Sequence, residues 1–243
     1  MKIVLHAAAV ALALCMSRPA FAEPGNIAAA VADTTRPKDD RDTDAARKPA
    51  DTIAFAGVTT GMVVGELFPG GGYFTRMLSD VVGPTGKIYA LETTRWKGSV
   101  EADNQMAAGH PNILVQGTPF GAFNLPEKVD VFWITQNYHD LHIAEYGTVD
   151  MAAFNRHVFE SLKPGGTYFI LDHAANSGLA DLDIAKLHRI EKSRVIKEVT
   201  AAGFVLVAEN DALHNAADDH TKPIFDASIR GHTDQYMLKF RKP

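Results

Sequence analysis

Cysteine and clustered basic residues are nearly absent from this sequence. Its single cysteine, Cys15, lies in an N-terminal stretch that we expect to be removed, so the mature chain is predicted to have no disulfide bond and no cysteine-ligated metal. The net charge is −5 and no block of Lys or Arg forms a stripe, which argues against nucleic acid or an anionic membrane as a main partner. A hydrophobic content of 46% is still sufficient for a globular protein with a sizeable core. The composition leaves the oligomeric state open.

Residues 1–22 have the pattern of a secretory signal peptide. Lys2 supplies the positive charge, residues 3–14 form an apolar core, and Ala20-Phe21-Ala22 fits an A-x-A cleavage site. Because the apolar run is too short to anchor the chain in a bilayer, we predict an exported, periplasmic protein without a stable membrane anchor. Two alternatives stay open, a lipoprotein lipidated at Cys15 and an uncleaved helix.

Residues 23–49 form a charged N-terminal segment that we predict to be partly disordered. The sequence alternates basic and acidic groups and offers almost nothing to bury. We expect residues 23–35 to be a solvated linker, and residues 36–49 to fold against the body near the mouth of a binding site. Residues 50–243 are predicted to form one domain.

From residue 50 onward, apolar strand-like runs alternate with amphipathic helical patterns. The predicted strands cover residues 62–67, 87–92, 113–116, 129–134, 167–171, 204–208 and 235–240. Predicted helices cover residues 51–56, 73–82, 100–108, 150–162 and 190–202. Continuous apolar strands that alternate with helices indicate a mainly parallel sheet covered on both faces. The predicted fold class is α/β, a doubly wound seven-stranded sheet whose last strand returns antiparallel.

The stretch from residue 62 to residue 92 contains a buried strand, a glycine-rich turn, an amphipathic helix and a second strand that ends in an acid. Gly70, Gly71 and Gly72 remove side chains where a ligand must approach the backbone, and they permit positive φ. The helix that begins at Tyr73 points unpaired N–H groups at this place. Glu92, at the tip of the second strand, is positioned for both hydroxyls of a ribose. This order of parts predicts a site for a nucleoside-bearing cofactor.

Two residues favour S-adenosylmethionine (SAM) over a dinucleotide as that cofactor. Thr75 stands where the dinucleotide-binding fingerprint has its third glycine. Glu66 precedes Gly70 at the strand end, where a carboxylate would repel a pyrophosphate but suits a ligand that carries an ammonium and a sulfonium. We therefore expect SAM.

The same segment also resembles a known family. Residues 66–72 are similar to the acid-hydrophobe-G-x-G-x-G loop of class I SAM-dependent methyltransferases, with Phe68 in place of the first glycine, so we expect a slightly different turn. The wider resemblance is to a family of exported, predicted SAM-dependent methyltransferases of bacteria. It rests on residues 136–140 (QNYHD), 162–167 (LKPGGT), 201–204 (AAGF) and 229–243. Over residues 36–243 it implies the methyltransferase variant of the doubly wound fold and methyl transfer from SAM.

Residues at the carboxyl ends of the strands should face the ligand. Besides Glu66, Phe68 and the glycines, we expect cofactor contacts from Glu92 to the ribose and from Thr118 near the adenine. Gln136 and Asn137, after the fourth strand, are also expected at the cofactor. Trp96 either flanks the adenine or only packs at the surface.

Tyr138, His139 and Asp140 are the predicted catalytic residues. Methyl transfer from a sulfonium is a direct displacement, so the protein chiefly aligns the reactants and excludes water. A hydroxyl or amine acceptor also needs a base, for which His139 has a suitable pKa, with Asp140 or Asp172 to orient it. Tyr138 is expected to shape the methyl pocket. The alternative for His139 is a loop histidine with a structural hydrogen bond.

Histidines and acids after the fourth and fifth strands raise the question of a metal. His139, Asp140, His142, Asp172 and His173 offer nitrogen and oxygen ligands for a divalent ion. No firm ligand spacing supports such a site, so we assign no metal ligand from the sequence.

The most favoured function is transfer of a methyl group to an unidentified, small-molecule acceptor. A non-catalytic SAM- or nucleoside-binding protein and a nicotinamide-dependent oxidoreductase are the alternatives. Residues 211–234 form a long loop on the ligand side, which we predict to be a lid that determines substrate specificity. His188 and Arg189 either reach an anionic substrate group or pair at the surface.

Overall fold

The structure is a computed structural model that describes residues 24–243. The expected signal peptide, residues 1–22, lies outside the described residues, and Cys15 lies there with it. Within the described part of the chain, no helix is long and apolar enough to cross a bilayer.

One mixed sheet of seven strands forms the centre of the described domain. Its strands are β1 (Val63–Leu67), β2 (Lys87–Thr93), β3 (Ile113–Thr118), β4 (Val129–Thr135), β5 (Leu162–His173), β6 (Val205–Asn210) and β7 (Gln235–Arg241). They lie in the order β3-β2-β1-β4-β5-β7-β6. β7 pairs antiparallel with both β5 and β6, and the pairings among β1 to β5 are parallel. The predicted fold class is confirmed, including the antiparallel last strand.

Helices cover both faces of the sheet. They are α1 (Pro24–Ala32), α2 (Lys38–Asp42), α3 (Asp44–Arg47), α4 (Pro49–Ala56), α5 (Tyr73–Val82), α6 (Ser99–Ala107), α7 (Met151–Ser161), α8 (Asp181–Leu187) and α9 (Lys192–Ala201). One core cluster joins the sheet to α1, α4 and α5, and a second joins it to α7, α8 and α9. Every residue of β1 is buried, as expected for a central strand that is covered on both faces.

Most helix ends lie within two residues of where the capping and breaking residues in the sequence predicted them. α4 ends at Gly57, which takes the left-handed conformation at φ 82°. Asp150 caps α7, where its side chain accepts hydrogen bonds from the backbone N–H groups of Ala152 and Ala153. α8 and a short 3₁₀ helix at His139–His142 were not predicted, because each is too short to show a periodic pattern.

The N-terminal segment differs from the expected solvated linker. Residues 24–32 form α1, which packs against α4 and α5 and buries Ile27 and Ala30 in the core. Because the alanines that surround Ile27 are small, the helix can lie close to its neighbours and bury apolar surface that the sequence alone did not reveal. α2 and α3 follow and lie against the start of α5, where Asp44 accepts hydrogen bonds from Tyr73 and Arg36.

Candidate cofactor and acceptor site

Three non-glycine residues with strained backbone lie at the carboxyl edge of the sheet or next to it. Phe68 follows β1 with φ 55°, Gln136 follows β4 with φ 59°, and His188 follows α8 with φ 54°. A positive φ costs a residue with a side chain about 1–2 kcal/mol. Strain of this kind clusters at functional sites, where surrounding contacts hold it in place. Phe68 itself thus takes a left-handed conformation of the kind that glycine readily adopts.

The glycine loop connects β1 to α5 in the predicted way. Gly70, Gly71 and Gly72 have φ values of 58°, 82° and 85°. A Cβ atom on Gly72 would lie 2.6 Å from Cγ of Met106 on α6, whereas one on Gly71 would meet nothing within 4 Å. A side chain at position 72 would thus have to displace Met106, while Gly71 leaves an open approach to the backbone.

Glu66 is a buried acid at the end of β1, directly before this loop. Its side chain is 2% exposed, and its Oε2 has no hydrogen-bond partner. Burial raises the pKa of Glu66 to about 8. The buried hydroxyl of Thr75 lies beside this carboxylate, and its interaction partly opposes the rise in the pKa.

Arg47, at the end of α3, lies on the other side of the same space. Its guanidinium sits 3.8 Å from the ring centroid of Tyr73 and donates a hydrogen bond of 3.4 Å to Oε1 of Gln136. Its Nε is buried without a partner. Burial lowers the pKa of Arg47, although the nearby carboxylates, Glu66 among them, oppose this. Sequence reasoning did not single out Arg47, because only the fold of the N-terminal segment brings it to the glycine loop.

Glu92 lies at the tip of β2, as predicted, and a second acid accompanies it. Glu92 is 3% exposed and accepts a hydrogen bond of 2.7 Å from the backbone N–H of Thr93. Burial, together with the carboxyl group of Asp103 on α6, raises its pKa to about 7. Burial likewise raises the pKa of Asp103, whose Oδ2 has no partner. Asp103 could not be singled out from the sequence, because it is one of two acids on a mostly polar helix.

Thr118 and three aromatic side chains form the adjoining wall. The Thr118 hydroxyl donates a hydrogen bond of 3.3 Å to the backbone oxygen of Glu92. The Phe68 ring stacks on Phe120 at 5.3 Å and meets Trp96 edge-on at 5.9 Å. The structure therefore brings Thr118, Phe68 and Trp96 to the end of the site where Glu92 lies.

A cavity of about 600 Å³ adjoins Arg47, which forms part of its lining. Its walls come from α2 and α3, from the ends of β4 and β5, and from the loop over residues 211–234. Its lining includes Arg47, Gln136, His173, Phe225, Arg230 and His232. Gln136, predicted as a cofactor contact, lies in this wall and donates a hydrogen bond of 2.8 Å to Gln235. Asn137 donates a hydrogen bond of 2.8 Å to Oδ2 of Asp140.

The loop over residues 211–234 is fastened by buried polar contacts. Arg189 is fully buried and forms hydrogen bonds of 3.0 and 2.8 Å with the carboxylate of Asp218. Neither role that we considered for Arg189, an anion contact or a surface pair, fits this placement. Asp234 accepts hydrogen bonds from His214 and His220 within the same loop. These contacts hold the loop in place, so that it forms one wall of the cavity.

His139 lies between two carboxylates at the start of the 3₁₀ helix. Its Nδ1 is 2.7 Å from Asp172, and its Nε2 is 3.3 Å from Oδ1 of Asp140. Burial disfavours the charged ring, but the two carboxylates outweigh burial and raise the pKa of His139 to about 10. The two carboxylates therefore favour the protonated ring, and the role of His139 as a base stays a prediction.

Tyr138 and His142 turn away from the cavity. The Tyr138 hydroxyl lies 2.9 Å from Glu198 and 2.9 Å from the amide of Asn155, and its side chain belongs to the hydrophobic core. His142 contacts the same Glu198 at 3.0 Å. The predicted role of Tyr138 in shaping a methyl pocket does not fit this placement. The 3₁₀ turn, invisible in the sequence, decides which side chains face inward.

His173 lines the cavity directly, as His232 does. It follows the end of β5, is 6% exposed, and its Nδ1 lies 2.7 Å from the hydroxyl of Thr233. Burial lowers the pKa of His173 to about 3, so the ring is neutral at physiological pH.

Several solved structures share this architecture. A SAM-dependent methyltransferase from Aquifex aeolicus is 17% identical, with a TM-score of 0.62 and coverage of 91% of this chain and 99% of that chain. Fibrillarin from Aeropyrum pernix, solved with natively bound S-adenosyl-L-methionine, is 18% identical, with a TM-score of 0.54 over 82% and 76% of the two chains. The cyclase SpnF is also 18% identical, with a TM-score of 0.57 over 84% and 80%. No protein-family model matches the chain. These similarities show a class I methyltransferase, Rossmann-like fold.

Proposed function

We propose that this protein is a SAM-dependent methyltransferase that acts on a small-molecule acceptor. One observation carries the proposal. Buried polar atoms without hydrogen-bond partners lie around the glycine loop, among them Nε of Arg47, Oε2 of Glu66 and Oδ2 of Asp103. Buried polar groups are nearly always hydrogen-bonded, so such a cluster indicates a polar ligand.

The chemistry of these groups fits SAM. The Glu66 carboxylate suits the ammonium group, and the Arg47 guanidinium suits the carboxylate of the amino-acid part. Glu92 would bind the ribose hydroxyls, with Asp103 behind it, and Thr118 would lie near the adenine. Bound SAM supplies a methyl group on a sulfonium, an electrophile that needs no further activation.

Residues around the large cavity would bind and orient the acceptor. Its volume of about 600 Å³ is that of a small-molecule site. The neutral ring of His173 offers a hydrogen bond to the acceptor, and Phe225 supplies apolar wall. Arg230 and His232 add positive or polar groups at the rim. No base is assigned to His139, since both of its ring nitrogens face carboxylates.

We further propose that the protein is exported. The support is the pattern of residues 1–22, a basic residue followed by an apolar run and an A-x-A site. Cleavage at this site, tested by mass spectrometry of the protein secreted by a bacterial host, would give a chain that begins at Glu23. Recovery of the uncleaved chain from the cytoplasm alone would refute export.

A non-catalytic SAM-binding protein is the second candidate. It is favoured by the two carboxylates that face the ring nitrogens of His139, which leave the site without an evident free base. A nicotinamide-dependent oxidoreductase is less favoured, because the buried acid Glu66 lies where a pyrophosphate would bind.

Isothermal calorimetry with SAM, with its demethylated product and with NAD tests these candidates. We expect SAM and the product to bind one site and NAD to bind more weakly. Glu92→Ala should weaken SAM binding at least about tenfold, or 1.4 kcal/mol. The control Glu101→Ala, on the exposed face of α6, should bind like the wild type. Tighter binding of NAD than of SAM would refute the proposal, and SAM binding without methylation of any compound in an acceptor library would favour the second candidate.

A further inference from the structure

Three potential metal ligands converge beside the large cavity. Oδ1 of Asp140 lies 3.3 Å from Nε2 of His139 and 3.3 Å from Nδ1 of His188. All three atoms lie within 4.8 Å of one another. The set combines the loop after β4 with the end of α8, so no local spacing in the sequence reveals it.

Asp140 has a buried carboxylate oxygen that faces both imidazoles. The residue is only 6% exposed, yet its Oδ1 has no hydrogen-bond partner. Its other oxygen, Oδ2, accepts a hydrogen bond from Asn137. At 3.3 Å the two imidazoles are within ion-pair distance of Oδ1, but neither is placed to donate a well-aligned hydrogen bond to it. The unpaired oxygen therefore points into the space between the two rings.

The distances suit a common central ion. Zinc and similar ions bind histidine nitrogen and carboxylate oxygen at about 2.0–2.2 Å, which places neighbouring ligand atoms about 2.8–3.1 Å apart in octahedral geometry and about 3.3–3.6 Å apart in tetrahedral geometry. The two separations from Asp140 Oδ1, both 3.3 Å, fall within the tetrahedral range. Two imidazoles and one carboxylate are ligands of divalent transition metals rather than of Mg²⁺ or Ca²⁺.

His139 is also held in the manner of a metal ligand. Asp172 binds its Nδ1 at 2.7 Å, which fixes the tautomer and aims Nε2 at the shared space. His188 reaches the same space from a backbone position with φ 54°, a strained conformation for histidine. The two rings lie nearly perpendicular, at 86°, with centroids 5.4 Å apart.

We propose that His139, Asp140 and His188 bind one divalent first-row transition metal ion, with Asp172 as the residue that positions His139. Three protein ligands leave coordination positions open, as in metal sites that bind a further molecule. Phe225 and His173, which line the cavity, contact the rings of His188 and His139 at centroid distances of 4.9 and 5.8 Å. The metal site stands apart from SAM binding, so it does not depend on the proposed function.

A proton is the competing occupant of the His139 lone pair. A metal ion at Nε2 would have to displace any proton bound there. Metal titration distinguishes the two occupants, because only the metal gives a stoichiometric binding isotherm and a ligand-field spectrum.

The test uses tag-free protein that has been treated with a chelator and then titrated with Co²⁺ and Zn²⁺. We expect one equivalent of each ion, and visible Co²⁺ bands typical of nitrogen and oxygen ligands. His188→Gln should weaken Co²⁺ binding at least tenfold, by analogy with the roughly 10- to 100-fold loss when a supporting residue is removed. Asp172→Asn should weaken binding by that same factor and should also change the Co²⁺ spectrum, which a purely structural role would leave unaltered.

His110→Gln is the matched control. His110 precedes β3 at the opposite edge of the sheet, and its loss should leave metal binding unchanged. The side chain of His188 makes no hydrogen bond to the backbone among the described residues, so His188→Gln should keep the wild-type circular dichroism spectrum. The proposal is overturned if the wild type binds no equivalent of either ion. It is also overturned if folded His188→Gln binds Co²⁺ as tightly as the wild type.

Discussion

Asp172 receives hydrogen bonds from two different atoms of His139, the backbone N–H at 2.8 Å and ring Nδ1 at 2.7 Å. It also accepts one of 2.7 Å from the backbone N–H of His173. Asp172 is fully buried at the end of β5, and His139 begins the 3₁₀ helix after β4. A single carboxylate thus fixes the geometry of two neighbouring strand ends, and with it the position of the candidate site.

Replacement of this carboxylate should destabilise the fold. In Asp172→Asn, the charged ring of His139 loses a buried partner, and the amide of the new side chain faces N–H donors. Breaking a buried ion pair from one side costs about 3–5 kcal/mol, so we expect a loss in this range from the free energy of unfolding, measured with urea. Asp150→Asn is the control, because asparagine caps a helix as well as aspartate does. Equal stability of the two variants would contradict the role of Asp172.

The buried acid Glu66 should make stability depend on pH. Its pKa is about 8 in the folded protein, against 4.5 as the ordinary value, so the unfolded chain loses its proton first. The contribution of Glu66 to the free energy of unfolding should therefore be fully present below about pH 4.5. It should be lost as the pH rises from 4.5 to 8. Urea denaturation of the ligand-free protein at several pH values measures this slope. Glu66→Gln should flatten the slope across that window, and an unchanged slope would show that Glu66 is not the buried acid responsible.

The sequence predicted those parts of the site that depend on local chain geometry. Glu66, the glycines and Glu92 lie within one strand–turn–helix–strand unit, whose order of parts fixes where each side chain goes. Arg47, Asp103 and His188 could not be found in this way, because separate segments bring them to the site. The role of Tyr138 could not be predicted for a related reason. The 3₁₀ turn that follows it places its side chain in the hydrophobic core rather than at the cavity.

The pairing of Arg189 with Asp218 should decide whether the loop over residues 211–234 stays in place. Asp218→Asn would leave a fully buried guanidinium without its counter-charge, at a cost of about 3–5 kcal/mol. We expect faster limited proteolysis within the loop and lower stability, with SAM affinity nearly unchanged, because the loop contributes to the cavity rather than to the glycine loop. Asp219→Asn, at the exposed residue next to Asp218, is the control. Loop cleavage at the wild-type rate would show that this ion pair does not hold the wall, and an equal loss of SAM affinity would show that the loop is also part of the cofactor site.

Arg47 should contribute to the affinity for SAM. Arg47→Met keeps an apolar stem over the Tyr73 ring but removes the guanidinium, so we expect calorimetry to show SAM binding weakened roughly tenfold, or about 1.4 kcal/mol. Arg41→Met, on the exposed side of α2, provides the matched comparison. If both variants bind SAM equally well, Arg47 serves only to attach the N-terminal segment.

Substitution of Gly71 tests whether a ligand approaches the backbone of the glycine loop, and the same substitution at Gly178 is the control for backbone strain alone. Gly71 and Gly178 have similar φ values, 82° and 85°, and an added Cβ atom would meet nothing within 4 Å at either position. Alanine should therefore cost each site a similar amount of stability, about 1–2 kcal/mol, because both take the left-handed conformation. Only Gly71→Ala places a methyl group on the loop where we expect SAM to approach the backbone.

We therefore expect Gly71→Ala to lose SAM affinity at least about tenfold in calorimetry, or 1.4 kcal/mol, while Gly178→Ala binds like the wild type. Gly72→Ala should be the least stable of the three variants in urea, because its Cβ would lie 2.6 Å from Met106. Equal SAM affinity in Gly71→Ala and Gly178→Ala would mean that no ligand approaches the loop at Gly71. The unpaired groups of Arg47 and Glu66 would then need a different partner.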